Sequence, residues 1–205
     1  MYNLQKNNYH LKPKPSNIQT PLAVSQFIFE LLSPHFPTKP GKRPWILDPC
    51  AGKGSLLEPW VINNYLSFGI DLEDGIVTDL KKDFLTLERR DICINKTLIK
   101  PALILCNPPF NGYGNKLGSE IWLDKILELF GKETPIVLFT PMGFRLNGKK
   151  SSKRWTKFTN HKYPPISSII SLPRDIFPGT EFHSEILIFN IPNLQPHYFL
   201  KTCPN

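Results

Sequence analysis

Three short, wholly apolar runs in this chain each stop at a polar residue followed by proline. They are Trp45–Leu47 before Asp48-Pro49, Ala102–Cys106 before Asn107-Pro108, and Ile136–Phe139 before Thr140-Pro141. A strand with no polar face must be covered on both sides, and a parallel sheet between two helical layers does this. Helical patterns fall between the runs: Val24, Phe27, Ile28, Leu31 and Leu32 share one face, and Ile121, Trp122, Ile126, Leu129 and Phe130 another. Thr20-Pro21 reads as a side-chain cap followed by proline at the first helical position, and Ser55 with Glu58 reads as a capping box. Ser67–Leu72 reads as a second strand and Gly75–Thr78 as a short third. Near the C-terminus, Ser168–Leu172 and Ile186–Ile191 have no helix between them, which predicts an antiparallel pair at the sheet edge. The expected fold class is therefore α/β, with a mostly parallel central sheet, an antiparallel C-terminal strand pair and helices on both faces.

The 205 residues fit one domain, expected over 19–205, preceded by a flexible, mildly basic arm over 1–18. With 40% hydrophobic and 20% charged residues, the composition excludes a disordered acidic chain. Four cysteines without a CxxC pair, and five histidines without HxxxH or HExxH spacing, argue against a metal site or a disulfide framework. His183 between Glu181 and Glu185 reads as edge-strand alternation, not a ligand set. No signal-peptide core and no membrane-length apolar run is visible, so a cytoplasmic protein with reduced thiols is expected.

The first apolar run leads into Asp48-Pro49-Cys50-Ala51-Gly52-Lys53-Gly54, a strand followed by a glycine turn. Such a turn lets a ligand approach backbone amides closely. A dinucleotide fingerprint would need a third glycine where Leu57 stands, and the spacing of a P-loop is absent. An aminocarboxylate, such as the methionine half of S-adenosylmethionine, fits better: its carboxylate needs amides and its ammonium needs an acid, a task for Asp48. Asp71, 23 residues later at the end of the second strand, is suited to accept ribose hydroxyls.

Asn107-Pro108-Pro109-Phe110 directly follows a central strand. Two prolines remove two amide donors and fix the backbone, leaving the Pro108 carbonyl and the Asn107 side-chain oxygen as paired acceptors. Such a pair suits an amino group, and Phe110 offers a flat face to the ring that carries it. Held near tetrahedral geometry, a heteroaromatic amine directs its lone pair at a methyl donor, while the two acceptors stabilise its developing positive charge. Asn107 is no base at neutral pH, so the proton leaves to water afterwards. Cys50 and Cys106 flank this site, but cytosine-C5 chemistry needs a nucleophilic cysteine where Asn107 stands. They read as small packing residues.

Together these segments resemble the class I S-adenosylmethionine-dependent amino-methyltransferases, DNA adenine-N6 enzymes above all. The resemblance covers about Thr20 to Ile191 and implies a Rossmann-like methyltransferase fold with S-adenosyl-L-methionine as cofactor. It assigns the methionine moiety to Asp48, Pro49, Cys50, Ala51, Gly52 and Gly54, the ribose to Asp71, and the adenine to Asp83 and Phe84, with Leu72 a further cofactor-binding residue. Thr20 and Pro21 match a motif lining the cofactor pocket, and Asn107, Pro108, Pro109 and Phe110 are the implied catalytic residues. The chain departs from the family in two ways. Only 12 positions separate Asp71 from Asp83, so the intervening helix is expected to be missing or reduced to a turn. The sequence also ends soon after the last strand, so no separate target-recognition domain is expected.

The formal charge of +8 is local, because eight cations and no acid fall between Arg145 and Arg174. An insertion over 144–165 holds most of them, interleaved with aromatics. Arg145, Lys149, Lys150, Lys153, Arg154, Trp155 and Lys157 are the candidate nucleic-acid contacts, by phosphate neutralisation and base stacking. The expected activity is methyl transfer to the N6 amino group of adenine in DNA, with relaxed or short sequence preference. The alternatives are an RNA base amino-methyltransferase, a protein glutamine methyltransferase, or a non-catalytic nucleic-acid-binding module. The expected partner is nucleic acid, DNA ahead of RNA, and no membrane; a second copy or a separate specificity subunit stays open.

Overall fold

Each apolar run forms a strand in the computed structural model, which describes residues 19–73, 79–94, 97–98, 100–110, 116–146, 148–178 and 181–201. The expected arm at 1–18 and the expected third strand at 75–78 lie outside the described residues. In chain order the elements are α1 (Leu22–Leu32), β1 (Trp45–Asp48), α2 (Glu58–Ile62), β2 (Leu66–Asp71) and β3 (Leu80–Lys81). A small antiparallel hairpin, β4 (Cys93–Ile94) with β5 (Thr97–Leu98), precedes β6 (Leu103–Cys106), α3 (Gly118–Phe130) and β7 (Ile136–Pro141). Then come α4 (Gly143–Leu146), α5 (Lys153–Thr159), β8 (Ile166–Ser171), β9 (Ser184–Phe189) and β10 (His197–Phe199).

Eight strands form one sheet in the order β10-β8-β9-β7-β6-β1-β2-β3. The pairs β1 with β2, β1 with β6, β6 with β7, and β8 with β10 are parallel, and β9 alone runs against both its neighbours. One apolar layer packs Val24, Ile28, Leu32 and Trp60 against Ile46, Leu105 and Phe139; the other packs Trp122, Leu123, Ile126 and Phe144 against Leu47, Ile104 and Leu138. The alternation along each strand feeds both layers, which is why the runs are apolar throughout.

The C-terminal strands are antiparallel as expected, but they are not the sheet edge. β9 inserts between β7 and β8, and β10, which the sequence pattern did not reveal, pairs outside β8. Every residue of β9 is buried. Its unbroken Ile186–Phe189 run is the signature of a central strand, whereas an edge strand would alternate.

Two expected helix caps are also corrected. α1 begins at Leu22 with Pro21 at its N-cap, without a side-chain cap, and Thr20 is engaged elsewhere. The Ser55–Glu58 capping box does not form, because α2 starts only at Glu58. Gly52 and Gly54 adopt φ of +53° and +84°, so the segment winds through successive turns first, with the Leu57 and Glu58 amides both donating to the Gly54 carbonyl.

Candidate active site

Because β1, β2, β6 and β7 run parallel, the loops that leave their carboxyl ends share one edge of the sheet. The glycine turn and the Asn107 loop, 55 positions apart in sequence, become neighbours because β6 pairs directly with β1.

Asp48 closes β1 and is buried; its Oδ1 accepts the Cys50 amide at 3.0 Å. Burial pushes its carboxyl up to about 7, with a further rise from the charge of Asp71, against the downward pull of the Cys50 amide. Asp71 ends β2 and fastens the turn: its Oδ2 accepts the Gly52 amide at 2.8 Å, and its Oδ1 accepts the amides of Leu72 and Glu73 at 2.7 and 3.1 Å. The Ala51 amide also donates to the Ile70 carbonyl. Neither carboxylate has an ion-pair partner among the described residues. Two acids without a counter-cation beside a glycine turn suit a positively charged ligand. Leu72 adds an exposed apolar surface next to Asp71.

Gln19, which no sequence pattern singled out, lies over this turn. Its Oε1 accepts the Lys53 amide at 3.0 Å and sits 2.9 Å from where a Cβ on Gly52 would be. Glycine is therefore needed at 52 for its left-handed backbone and for space.

Asp83 and Phe84 take different tasks. Asp83 accepts the Leu85 amide and so caps the single turn Phe84–Thr86, while the Phe84 ring is buried and stacks on Trp122 at 5.1 Å and 12°. The expected ligand-facing Phe84 ring is thus a core ring.

Asn107 leaves β6 half-buried and donates from Nδ2 to Thr20 Oγ1 at 3.0 Å. That bond uses one of the amide's two N–H donors and fixes which way the amide points, and Oδ1 accepts no hydrogen bond among the described residues. Here lies the work of Thr20, read from sequence as a helix cap. Pro108 is buried, Phe110 is half-buried, and the Phe110 carbonyl accepts the Gly118 amide that opens α3. The Phe110 ring meets Phe182 from the β8–β9 connection at 5.6 Å, forming an aromatic wall of two rings. Phe182 sits in a segment without periodicity, so sequence offered no handle on it. The Cys50 and Cys106 sulfurs are 3.8 Å apart, and burial pushes both thiols up, which keeps them protonated and non-nucleophilic.

The basic segment divides in two. Arg145 makes a bidentate pair with buried Glu185, Nε donating to Oε1 and Nη2 to Oε2, each at 2.9 Å. Arg154 pairs with buried Glu120 at 3.3 Å and lies over the Phe144 ring. Lys157 bonds Glu120 at 3.2 Å, Asp124, and the Tyr163 hydroxyl, which itself donates to Asp124 at 3.0 Å. These three expected nucleic-acid contacts are struts that clamp α4 and α5 onto β9 and the first turns of α3. Lys149, Lys150 and Lys153 are exposed and have no ion-pair partner among the described residues, and Trp155 is 40% exposed. Along the chain the segment is free of acids, but Glu120, Asp124 and Glu185 reach it through space.

No helix among the described residues is long and apolar enough to cross a membrane, and no cluster of three metal-ligating side chains occurs among them. No protein-family model matches the sequence, and no curated protein matches it. Solved structures do share the fold. A protein from Listeria monocytogenes assigned to the class I S-adenosylmethionine-dependent methyltransferases aligns with a TM-score of 0.63 at 16% identity, over 88% of this chain and 64% of its own. The methyltransferase subunit of a type I restriction-modification system from Streptococcus thermophilus aligns at 0.60 and 17%, over 91% of this chain and 48% of its own. A protein from Pyrococcus horikoshii assigned as an RNA methyltransferase aligns at 0.54 and 12%, over 91% of this chain and 94% of its own. The first two neighbours extend well beyond the part this chain spans. The fold is the Rossmann-like one of class I methyltransferases, with a mostly parallel sheet and one reversed strand.

Proposed function

We propose that this protein is an S-adenosylmethionine-dependent methyltransferase that acts on the exocyclic N6 amino group of adenine in DNA, with short or relaxed sequence preference. The observation that carries the proposal is the Thr20–Asn107 hydrogen bond, which orients the Asn107 amide and leaves its Oδ1 as an acceptor at the end of β6, the strand paired with the one that Asp48 closes. Bound at the glycine turn, S-adenosylmethionine would supply an electrophilic methyl group on sulfur. Asp48 would hold its ammonium and Asp71 would take the ribose; because the Gly52 and Gly54 amides already donate to Asp71 and the Ala51 carbonyl, the carboxylate would reach the turn by displacing Gln19 from the Lys53 amide. Three amides already use most of the roughly four acceptor positions of the Asp71 carboxylate, so taking both hydroxyls requires one of those amides to let go. Asn107 and Pro108 hold the two amine hydrogens and stabilise positive charge on nitrogen, Phe110 supports the ring, and the surplus proton goes to water.

An RNA base amino group is the second reading, favoured by the neighbour assigned as an RNA methyltransferase, which this chain spans almost entirely. Labelled-methyl transfer to DNA and RNA in parallel, followed by nucleoside digestion, decides between them. N6-methyladenine from DNA is the expected product, and no transfer to either polymer overturns the proposal.

A further inference from the structure

The exposed half of the basic segment has a composition of its own. After Pro141 ends β7, the chain exposes Met142, Leu146 and Trp155 among Lys149, Lys150 and Lys153. β7 reaches further toward the carboxyl edge than β6, since Cys106 pairs with Leu138 and three more residues of β7 follow. This surface therefore begins at the edge that carries Asn107. Its framework is rigid: Glu120 and Asp124 on α3 hold Arg154 and Lys157, Arg154 Nη2 donates to the Gly143 carbonyl at 3.4 Å, and Ser152 caps α5 through the Trp155 amide. Trp155 rests against Gly148, where a Cβ would lie 3.0 Å from its ring. The indole is thereby held on a glycine floor with two-fifths of the residue open to solvent.

Uncompensated lysines around an exposed, backed indole are what an unpaired nucleic-acid strand requires: cations for phosphates and a π-face for a base freed from its stack. An intact duplex offers phosphates but keeps its bases stacked, so Trp155, Met142 and Leu146 would remain in water. We propose that this surface binds a single-stranded or melted segment flanking the reacting base, with Trp155 stacking on one of its bases and Lys149, Lys150 and Lys153 on its phosphates. Arg145, Arg154 and Lys157 take no phosphate. The proposal rests on the nucleic-acid reading above and specifies the strand state of the substrate.

The test needs neither cofactor nor turnover. Trp155 is the most exposed of the four tryptophans, so its emission reports a base stacked on it. Titration with a single-stranded DNA or RNA 12-mer should quench emission, with at least tenfold tighter binding than the matching DNA duplex. Trp155→Ala should abolish the quench and weaken single-strand binding about tenfold, as the loss of one stacked base predicts. Replacing Lys149, Lys150 and Lys153 with Gln should lower the single-strand salt slope by about 2. Gly148→Ala should disturb the quench and leave that slope unchanged, and Arg154→Gln should lower the melting temperature and also leave it unchanged. Equal or tighter duplex binding, or a matching salt slope with polyglutamate and no quench with DNA or RNA, overturns the proposal. Absence of nucleic-acid binding overturns it too, while the methyl-transfer assay still judges the reaction independently.

Discussion

The glycine-turn edge and the basic segment respond differently to being folded. At the edge, residues that stand out along the chain are also the ones that meet: Asp48, Gly52, Asp71 and Asn107 end or follow strands that pair in parallel. In the basic segment, six cations look alike in sequence, and folding sorts them into half-buried struts and an exposed surface. Motifs at strand ends owe their position to topology, which is legible from alternating apolar runs. The role of a charge depends on what lies opposite, and the acids opposite Arg145, Arg154 and Lys157 are 40, 34 and 37 positions away.

Asn107→Ala is the sharpest test of the edge. Loss of an acceptor that acts on developing charge should cut methyl transfer by roughly 100- to 1,000-fold. Calorimetric affinity for S-adenosylmethionine should change little, and an equal loss of both would make Asn107 a cofactor residue instead.

Glu120→Ala is the matching test of the struts. It leaves Arg154 and Lys157 without their shared acid, and removing one partner of a buried pair costs about 3 kcal/mol. The protein should melt earlier in a thermal scan, yet its single-strand salt slope should persist in the folded variant.

Burial of Asp48 makes the edge sensitive to pH. An ammonium prefers the ionised carboxylate, so S-adenosylmethionine affinity should fall about tenfold per unit as pH drops below about 7. For the free protein the sign reverses. A carboxyl raised in the folded state favours folding when protonated, a contribution complete below its ordinary value of 3.8 and lost as pH rises through 7. Asp48→Asn should flatten both profiles: no cofactor binding by calorimetry, and stability in urea that no longer declines between pH 4 and 7.

Gly52→Ala should give the smallest effect, about 1–2 kcal/mol of stability from the left-handed backbone together with the clash against Gln19. Adding Gln19→Ala should recover the steric part and leave the backbone part, which a double-mutant cycle in urea resolves.

Much of the fold was legible because burial on both faces of a strand demands apolar residues at every position, and that demand is visible in a linear string. The same rule, applied to Ile186–Phe189, points to the central place of β9, which chain order had suggested was peripheral. β10 has only three residues, partly exposed, and so leaves no pattern to read. In the site, the strand-end acids, the glycines and Asn107-Pro108-Pro109-Phe110 were visible because each breaks an apolar rhythm. Gln19, Phe182 and the bond from Thr20 to Asn107 were invisible, since each depends on a neighbour 34, 72 or 87 residues away.

By itself the sequence determined the layered α/β architecture and the edge at which its unusual residues gather, because periodic burial is a local property of the chain. Only the tertiary structure decided which of those residues hydrogen-bond one another, which ring joins the core, and which cations are already neutralised. Those outcomes depend on distances between segments remote in sequence, and a charge or a hydrogen-bonding group acquires its chemical role from the group that folding sets against it.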